Sequence, residues 1–118
     1  MAYGKRVFFE PVREVGFGSI TGSYTAVGGA TTHEGRIISL NNTTNVDLYF
    51  SFDGTNNHCR IAAGSFQLFD FMANIDTHDD DAFLLPLQVT FYVKQTSQGA
   101  PASGTFWIEL ISSSGGGT

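Results

Sequence analysis

The feature that most constrains the fold is a strict alternation of side chains over residues 46–52. Apolar and polar positions follow one another in the order Val46, Asp47, Leu48, Tyr49, Phe50, Ser51 and Phe52. Successive side chains of a strand point to opposite faces, so the pattern predicts a half-buried β-strand. Asp53 and Gly54 follow, and this pair is a strong turn signal. We expect a positive φ at Gly54, an Asp53 side chain that braces the loop, and a return strand over residues 58–62.

The rest of the chain also alternates in short segments and has no sustained helical period. Fourteen glycines separate segments rich in Phe, Tyr, Val, Ile and Thr. Further strands are predicted over residues 5–15, 24–27, 35–41, 65–71, 88–94 and 105–111. Pro11 cannot donate a hydrogen bond to a β-ladder, so the first of them belongs at a sheet edge or a bulge.

Seven or eight short strands with turns between them predict an all-β fold with little or no helix. We prefer a single antiparallel β-sandwich, jelly-roll or immunoglobulin-like, to a small barrel. One domain should span all 118 residues, with residues 1–17 as an edge and docking segment and residues 112–118 as a Ser/Gly-rich tail. The predicted core is Leu48, Phe50, Phe52, Phe66, Leu68, Val89, Phe91, Phe106, Ile108 and Leu110.

Composition narrows the functional classes. Only 14% of the residues are charged, against about 25% in an average soluble domain, which favours a subunit over a free monomer. The net charge of −5 would repel a phosphate backbone, so no sequence-specific nucleic-acid partner is expected. The single Cys59 precludes an internal disulfide and is expected to be a small core residue. No apolar run has the length of a signal peptide or a membrane span, so no membrane partner is expected.

The most charge-dense segment, residues 76–81, carries four of the chain's eleven acidic residues. Clustered carboxylates suit hard cations such as calcium. The segment lacks the glycine and the glutamate at the positions that an EF-hand loop requires. We interpret it as a solvated loop without a metal ion.

The other candidate catalytic, metal-binding and phosphate-binding sites lack either the required geometry or the required residues. His58 and Cys59 are adjacent in a strand and must face opposite ways, and no spacing brings His33 and His78 together. The glycine-rich residues 16–22 lack both the third glycine and the lysine of a phosphate-binding loop. Two carboxylate pairs could serve as acid and base, Glu10 with Glu14 and Asp53 with Asp70, but such pairs are too common in sequences to indicate an active site. We therefore predict no catalytic, cofactor-binding or metal-binding residue, no small-molecule ligand and no enzyme.

The charges are unevenly distributed along the chain. Three of the six basic residues, Lys5, Arg6 and Arg13, lie in the first thirteen positions, far from the acidic segment. This favours head-to-tail docking of identical subunits. An edge strand with internal ion pairs to Glu10 and Glu14 explains the same charges, and both interpretations stay open.

Apolar side chains suggest where a partner binds. Residues 1–17 hold more of them than one edge strand can turn inward, namely Phe8, Phe9, Val12, Val15 and Phe17. Trp107 and Ile111 likewise make the second face of the last strand apolar, so a neighbouring chain is expected to cover it. The predicted interface is Lys5, Arg6, Phe8, Phe9, Val12, Arg13, Phe17, Trp107, Asp79, Asp80 and Asp81.

Several short motifs resemble small structural proteins of tailed bacteriophages and prophages. They read RIISLNNTT over residues 36–44, VDLYFSFDG over 46–54, and IAAGSF over 61–66 with a following Asp70. A strand like FYVK at 91–94 and a last strand after Gly104 complete the similarity, which covers roughly residues 5–111.

This resemblance implies a non-enzymatic virion protein, made in the host bacterial cytoplasm, whose partners are copies of itself and other virion proteins. Its place would be a head–tail ring, a collar or a tail attachment point, or alternatively a capsid decoration, cement or fibre-docking position. A second alternative is a soluble β-sandwich module that binds carbohydrate or peptide on a stacking platform of Tyr49, Tyr92 and Trp107.

Overall fold

The computed structural model describes residues 7–70 and 88–113, apart from the side chains of Val7, Phe8, Glu34 and Ser113. This part contains nine strands and one 3-10 turn at Phe17–Ser19, between β2 and β3. The strands are β1 (Val7–Phe9), β2 (Arg13–Gly16), β3 (Thr25–Val27), β4 (Glu34–Asn42), β5 (Leu48–Ser51), β6 (Cys59–Ile61), β7 (Ser65–Asp70), β8 (Phe91–Gln95) and β9 (Thr105–Ser113). Each predicted strand is represented, but the strand expected over residues 5–15 is divided into β1 and β2, and β5 and β8 are shorter than expected.

The strands form two antiparallel sheets packed face to face. The first, here called the β9 sheet, has the order β1-β9-β4-β7, and β2 also pairs with β9. The second, the β8 sheet, has the order β3-β8-β5-β6. β1 and β2 together occupy one strand position beside β9, so the chain fills eight strand positions. The first position lies beside the eighth in the β9 sheet, and the second lies beside the seventh in the β8 sheet. This order is that of a jelly roll, so the predicted β-sandwich is confirmed and the immunoglobulin-like alternative is not adopted.

The first position of the sandwich is interrupted at Pro11. Phe9 is paired with Ile111, whereas Arg13 is paired with Ile108, so the register shifts by one residue between them. Pro11 therefore lies in a bulge on a strand that pairs only with β9, which confirms its predicted place at a sheet edge.

The core lies between the inner faces of the two sheets. Of the predicted core residues, six are buried, and Phe52 and Val89 pack against them half-buried. Phe50 is central because its ring contacts those of Phe52, Phe91 and Phe106, with centroids 5.0, 5.9 and 6.0 Å away. The buried six are Leu48, Phe50, Phe91, Phe106, Ile108 and Leu110.

The prediction that Phe66 and Leu68 belong to the core is wrong, because their side chains are 67% and 55% exposed. The cause is the pairing of β7 with β4. Ile38 of β4 points into the core and is paired with Phe69, so Phe69 also faces inward. The alternating neighbours on β7 must then face outward.

The turn after β5 has the predicted form. Gly54 has a φ of +78°, and the Asp53 carboxylate accepts hydrogen bonds from the backbone N–H groups of Thr55 and Asn56 at 2.8 and 2.9 Å. The Asn56 backbone bond, together with those from Thr55, the Asn56 side chain and Ser51, holds the pKa of Asp53 well below its usual range.

We expect this turn to make the protein sensitive to acid. A carboxyl whose pKa is lowered by folding stabilises the folded state above its unfolded pKa, about 3.9 for Asp, and loses that contribution as the pH falls. Chemical denaturation between pH 5 and pH 2 should therefore show stability falling with pH, and less steeply in Asp53→Asn. The same acid profile in both proteins would contradict this account.

Candidate functional site

Apolar side chains project from the outer face of the β9 sheet, which is turned away from the core. Asn41 of β4 is paired with Phe66 on β7 and with Trp107 on β9, so their side chains share this face. Further along β9, Ile111 is paired with Ile37 on one side and with Phe9 on the other. We call this surface the apolar face. Its apolar members are Phe9, Val12, Ile37, Phe66, Leu68, Trp107 and Ile111.

Much of the apolar face is open to solvent. Phe9 is 76% exposed and Val12 is 55% exposed. Phe66 and Leu68 of β7 have similar exposed fractions. Trp107, Ile37 and Ile111 are half-buried on the two interior strands of this face, β9 and β4. Single exposed apolar residues are normal on a protein surface, whereas a group of them on one sheet face indicates an interaction site.

The charged side chains at the centre of the apolar face are acidic. Glu14 is the cross-strand partner of Trp107, and Glu109 lies two residues beyond Trp107 on the same face of β9. Both glutamates are exposed. The two arginines in the strands of this sheet, Arg13 of β2 and Arg36 of β4, are buried. No described lysine or arginine therefore offsets the two carboxylates on this face.

Arg13 is buried in an internal network. Its Nη2 donates to Glu10 Oε1 at 2.7 Å and its Nε donates to the carbonyl of Gly29 at 3.0 Å. Glu10 Oε2 accepts hydrogen bonds from the Ser112 hydroxyl and the His33 N–H. Burial alone would raise the pKa of Glu10, but the bonds from Arg13 and Ser112 outweigh burial and lower it.

This network corrects one part of the predicted interface. Arg13 is paired with Ile108, whose side chain is in the core, so Arg13 must point inward too. The basic N-terminal residues are interpreted from the sequence either as a head-to-tail docking surface or as part of an edge strand with internal ion pairs. Arg13 fits the second interpretation, because it is paired with Glu10. Its side chain is not available to a partner.

The other predicted interface residues have mixed positions. Phe9, Val12 and Trp107 all belong to the apolar face, and Phe17 is 42% exposed in the 3-10 turn at one end of the β9 sheet. The backbone of Phe8 pairs with Ser112. Five further predicted residues lie outside the described part of the chain, namely Lys5, Arg6, Asp79, Asp80 and Asp81.

Sequence reasoning missed Ile37, Phe66 and Leu68 as members of the apolar face. The available signal was Phe69, because an apolar residue directly after Leu68 makes both faces of β7 apolar. Only the register with β4 decides which of those faces turns inward.

The outer face of the β8 sheet has a different chemistry. Tyr49 is paired with Lys94 of β8 and with Arg60 of β6. Lys94 Nζ lies 4.8 Å from the ring centroid of Tyr24 and 6.0 Å from that of Tyr49, in cation–π contact. Arg60 lies over Tyr49 and donates to Asp47 at 2.8 Å. We call this surface the tyrosine face, formed by Tyr24, Tyr49, Arg60, Tyr92 and Lys94.

The predicted stacking platform is split between the two sheets. Tyr49 and Tyr92 share the tyrosine face, since Tyr92 lies two residues from Lys94 on β8. Trp107 belongs to the apolar face on the opposite sheet. The three rings therefore cannot contact one sugar or peptide together.

Two of the residue pairs considered as candidate chemistry are separated by the fold. His58 accepts a hydrogen bond from the Phe52 N–H, while Cys59 packs against the core, so the two face opposite ways as expected. Glu10 is buried and Glu14 is exposed, which separates that carboxylate pair. Within residues 7–70 and 88–113, no three His, Cys, Asp or Glu residues gather to hold a metal ion. No helix in those ranges has the length and apolarity to cross a membrane. His78 and the acidic residues 76–81 lie outside them.

Comparison with known proteins supplies no further constraint. No family model, curated protein or solved structure matches the sequence. A jelly roll serves unrelated functions in capsids, lectins and cupins, so the fold alone does not assign one. The two outer faces, one apolar and acidic and the other aromatic and basic, are the features from which a function can be argued.

Proposed function

We propose that this chain is a non-enzymatic structural subunit of a tailed-phage virion, assembling in several copies around the head–tail junction, collar or tail. The observation that carries the proposal is the apolar face. On the outer side of the β9 sheet it presents apolar side chains from four strands, β1, β4, β7 and β9, beside polar residues such as Ser39 and Glu109. A free monomer would gain nothing from leaving such a surface in water.

The arrangement of the apolar face suits a protein partner. Trp107 is half-buried on β9, an interior strand of the sheet, between Asn41 of β4 and Glu14 of β2. Interfaces are commonly anchored by a central aromatic residue whose neighbours exclude water. Each square ångström of apolar surface that a partner covers contributes about 25 cal/mol. The resemblance to phage structural proteins supplies the setting, a virion, in which many subunits make such contacts.

One alternative fits the geometry less well. The carbohydrate or peptide module is predicted to use Tyr49, Tyr92 and Trp107 together, and Trp107 lies on the opposite sheet from the two tyrosines. A decoration or fibre-docking protein would use the same apolar face, so this alternative differs only in location. Labelling the protein in purified particles with an antibody and imaging them by electron microscopy would distinguish a ring or collar from the capsid surface.

The proposal predicts that a charge placed on the apolar face blocks incorporation into particles. Leu68→Asp puts a carboxylate where the partner should bury a leucine, and a buried unpaired charge is strongly unfavourable. We expect at least a tenfold drop in particle-bound protein. Burying one unsatisfied polar group costs about 1–3 kcal/mol, and about 1.4 kcal/mol corresponds to a tenfold change in binding. The measurement is a quantitative immunoblot of gradient-purified particles from the strain that carries the gene.

The matched control is Gln67→Asp, one residue away. Gln67 is paired with the core residue Leu40, so it points away from the apolar face, and it is nevertheless exposed because β7 is an edge strand. Both variants should keep the circular dichroism spectrum of the parent, and Gln67→Asp should enter particles normally. Normal incorporation of Leu68→Asp would remove the docking role from the apolar face. Absence of the parent protein from the particles would overturn the virion assignment itself.

A further inference from the structure

We infer that the partner of the apolar face is a second copy of this chain, which binds through its tyrosine face. Successive copies would then stack front to back, each sandwich placing its β9 sheet against the β8 sheet of the next. This inference rests on the proposed function and specifies the contact that repeats within the assembly.

The charge of the apolar face argues against pairing with itself. Glu14 and Glu109 flank Trp107, and none of the described residues on that face is basic. A symmetric dimer through this face would bring four carboxylates into one interface. Like charges facing each other cost several kcal/mol, so the surface that fits here must be basic or neutral as well as apolar.

The tyrosine face has the required complementary character. The described part of the chain contains four lysines and arginines, of which Arg13 and Arg36 are buried. The other two, Arg60 and Lys94, are both on the tyrosine face. Arg60 is already paired with Asp47, whereas Lys94 makes no ion pair within the described residues.

The setting of Lys94 suits a docking contact. Its ammonium group is held over the rings of Tyr24 and Tyr49, so a partner carboxylate would meet a cation that is already oriented. Tyrosine rings present a large apolar area with a polar tip, and tyrosine is enriched at protein interfaces. In the stacked arrangement, Lys94 of one copy pairs with Glu109 or Glu14 of the next.

The sandwich geometry makes this contact self-propagating. The two faces are opposite sides of one two-sheet body, so a copy bound on one face leaves its other face open for the next copy. Such a heterologous contact closes into a ring if each step rotates suitably and otherwise extends as a filament. A closed ring would suit the head–tail or collar position proposed above.

Charge exchange between the two faces tests the inference with purified full-length protein. The variants are Lys94→Glu, which makes the tyrosine face acidic, and the double variant Glu14→Lys with Glu109→Lys, which makes the apolar face basic. Sedimentation velocity at low salt measures self-association over a range of concentrations. Each variant alone should associate at least about tenfold more weakly than the parent, because like charges then meet at the contact.

Mixing the two variants should restore association, because the basic apolar face of one fits the acidic tyrosine face of the other. Ser103→Lys, in the exposed loop before β9, is the control for added charge and should associate like the parent. Circular dichroism of each variant verifies the fold, and Lys94→Gln replaces Lys94→Glu if the latter unfolds, again with weakened association expected.

Three results would overturn the inference. A parent protein that stays monomeric at every concentration shows that the partner is a different protein. Undiminished association of folded Lys94→Glu or Lys94→Gln places the contact away from the tyrosine face. A mixture of the charge variants that stays monomeric rules out front-to-back pairing. None of these results bears on particle incorporation, which tests the proposed function separately.

Discussion

Replacing Phe50 with alanine is expected to lower the free energy of unfolding by about 3–5 kcal/mol, the usual cost of removing a large aromatic side chain from a packed core. Phe50 is fully buried, and its ring contacts three other phenylalanine rings from β8, β9 and the turn after β5. The cavity would therefore open at the point where the two sheets meet. Urea denaturation followed by circular dichroism measures the loss.

Phe66→Ala provides the matched control, since it removes the same side chain from the exposed surface of β7. Its effect should stay within about 0.5 kcal/mol, as for other surface substitutions. Equal losses at the two positions would mean that the assignment of inner and outer faces is wrong.

Arg13→Met should be almost as damaging, at about 3–5 kcal/mol, because it leaves the Glu10 carboxylate buried without its cation. The Arg13 and Glu10 side chains are only 9% and 3% exposed. The carbonyl of Gly29 would also lose its hydrogen-bond donor. The measurement is again urea denaturation, at pH 7.

Adding Glu10→Gln to Arg13→Met should recover part of this loss. The glutamine removes the unpaired charge but keeps an oxygen for the Ser112 hydroxyl and the His33 N–H. The wild type loses the contribution of Glu10 as the pH falls, because the pKa of Glu10 is lowered in the folded state. The gap between Arg13→Met and the wild type should therefore narrow in acid. A double variant no more stable than Arg13→Met would contradict a charge-based mechanism.

The strands were predictable because alternation and glycine-rich turns are local signals. The strand that contains Leu48 and Phe50, its Asp53-Gly54 turn and the bulge at Pro11 all follow from a few neighbouring residues. The jelly-roll order was not predictable in this way. It depends on pairings between strands far apart in sequence, such as β1 with β9, which no local pattern encodes.

The candidate site was predictable only in part, for the same reason. Phe9, Val12 and Trp107 were identified because apolar residues exceeded what a core-facing strand can bury. The outward orientation of Phe66 and the inward orientation of Arg13 each depend on the register with a distant partner strand. A shift of one residue would exchange inner and outer faces, and sequence alone does not fix that register.

The position of β9 has a consequence for biosynthesis. This strand lies between β4 and the pair β1 and β2, and it supplies Phe106, Ile108 and Leu110 to the core. A ribosome adds about 5–20 residues per second, so every earlier strand emerges before the one that joins them. Until then, β4 lacks a neighbour along one edge, and β1 and β2 lack the strand with which they pair. A nascent chain stopped before residue 105 would leave these edges exposed, so we expect it to depend on chaperones and to aggregate when released.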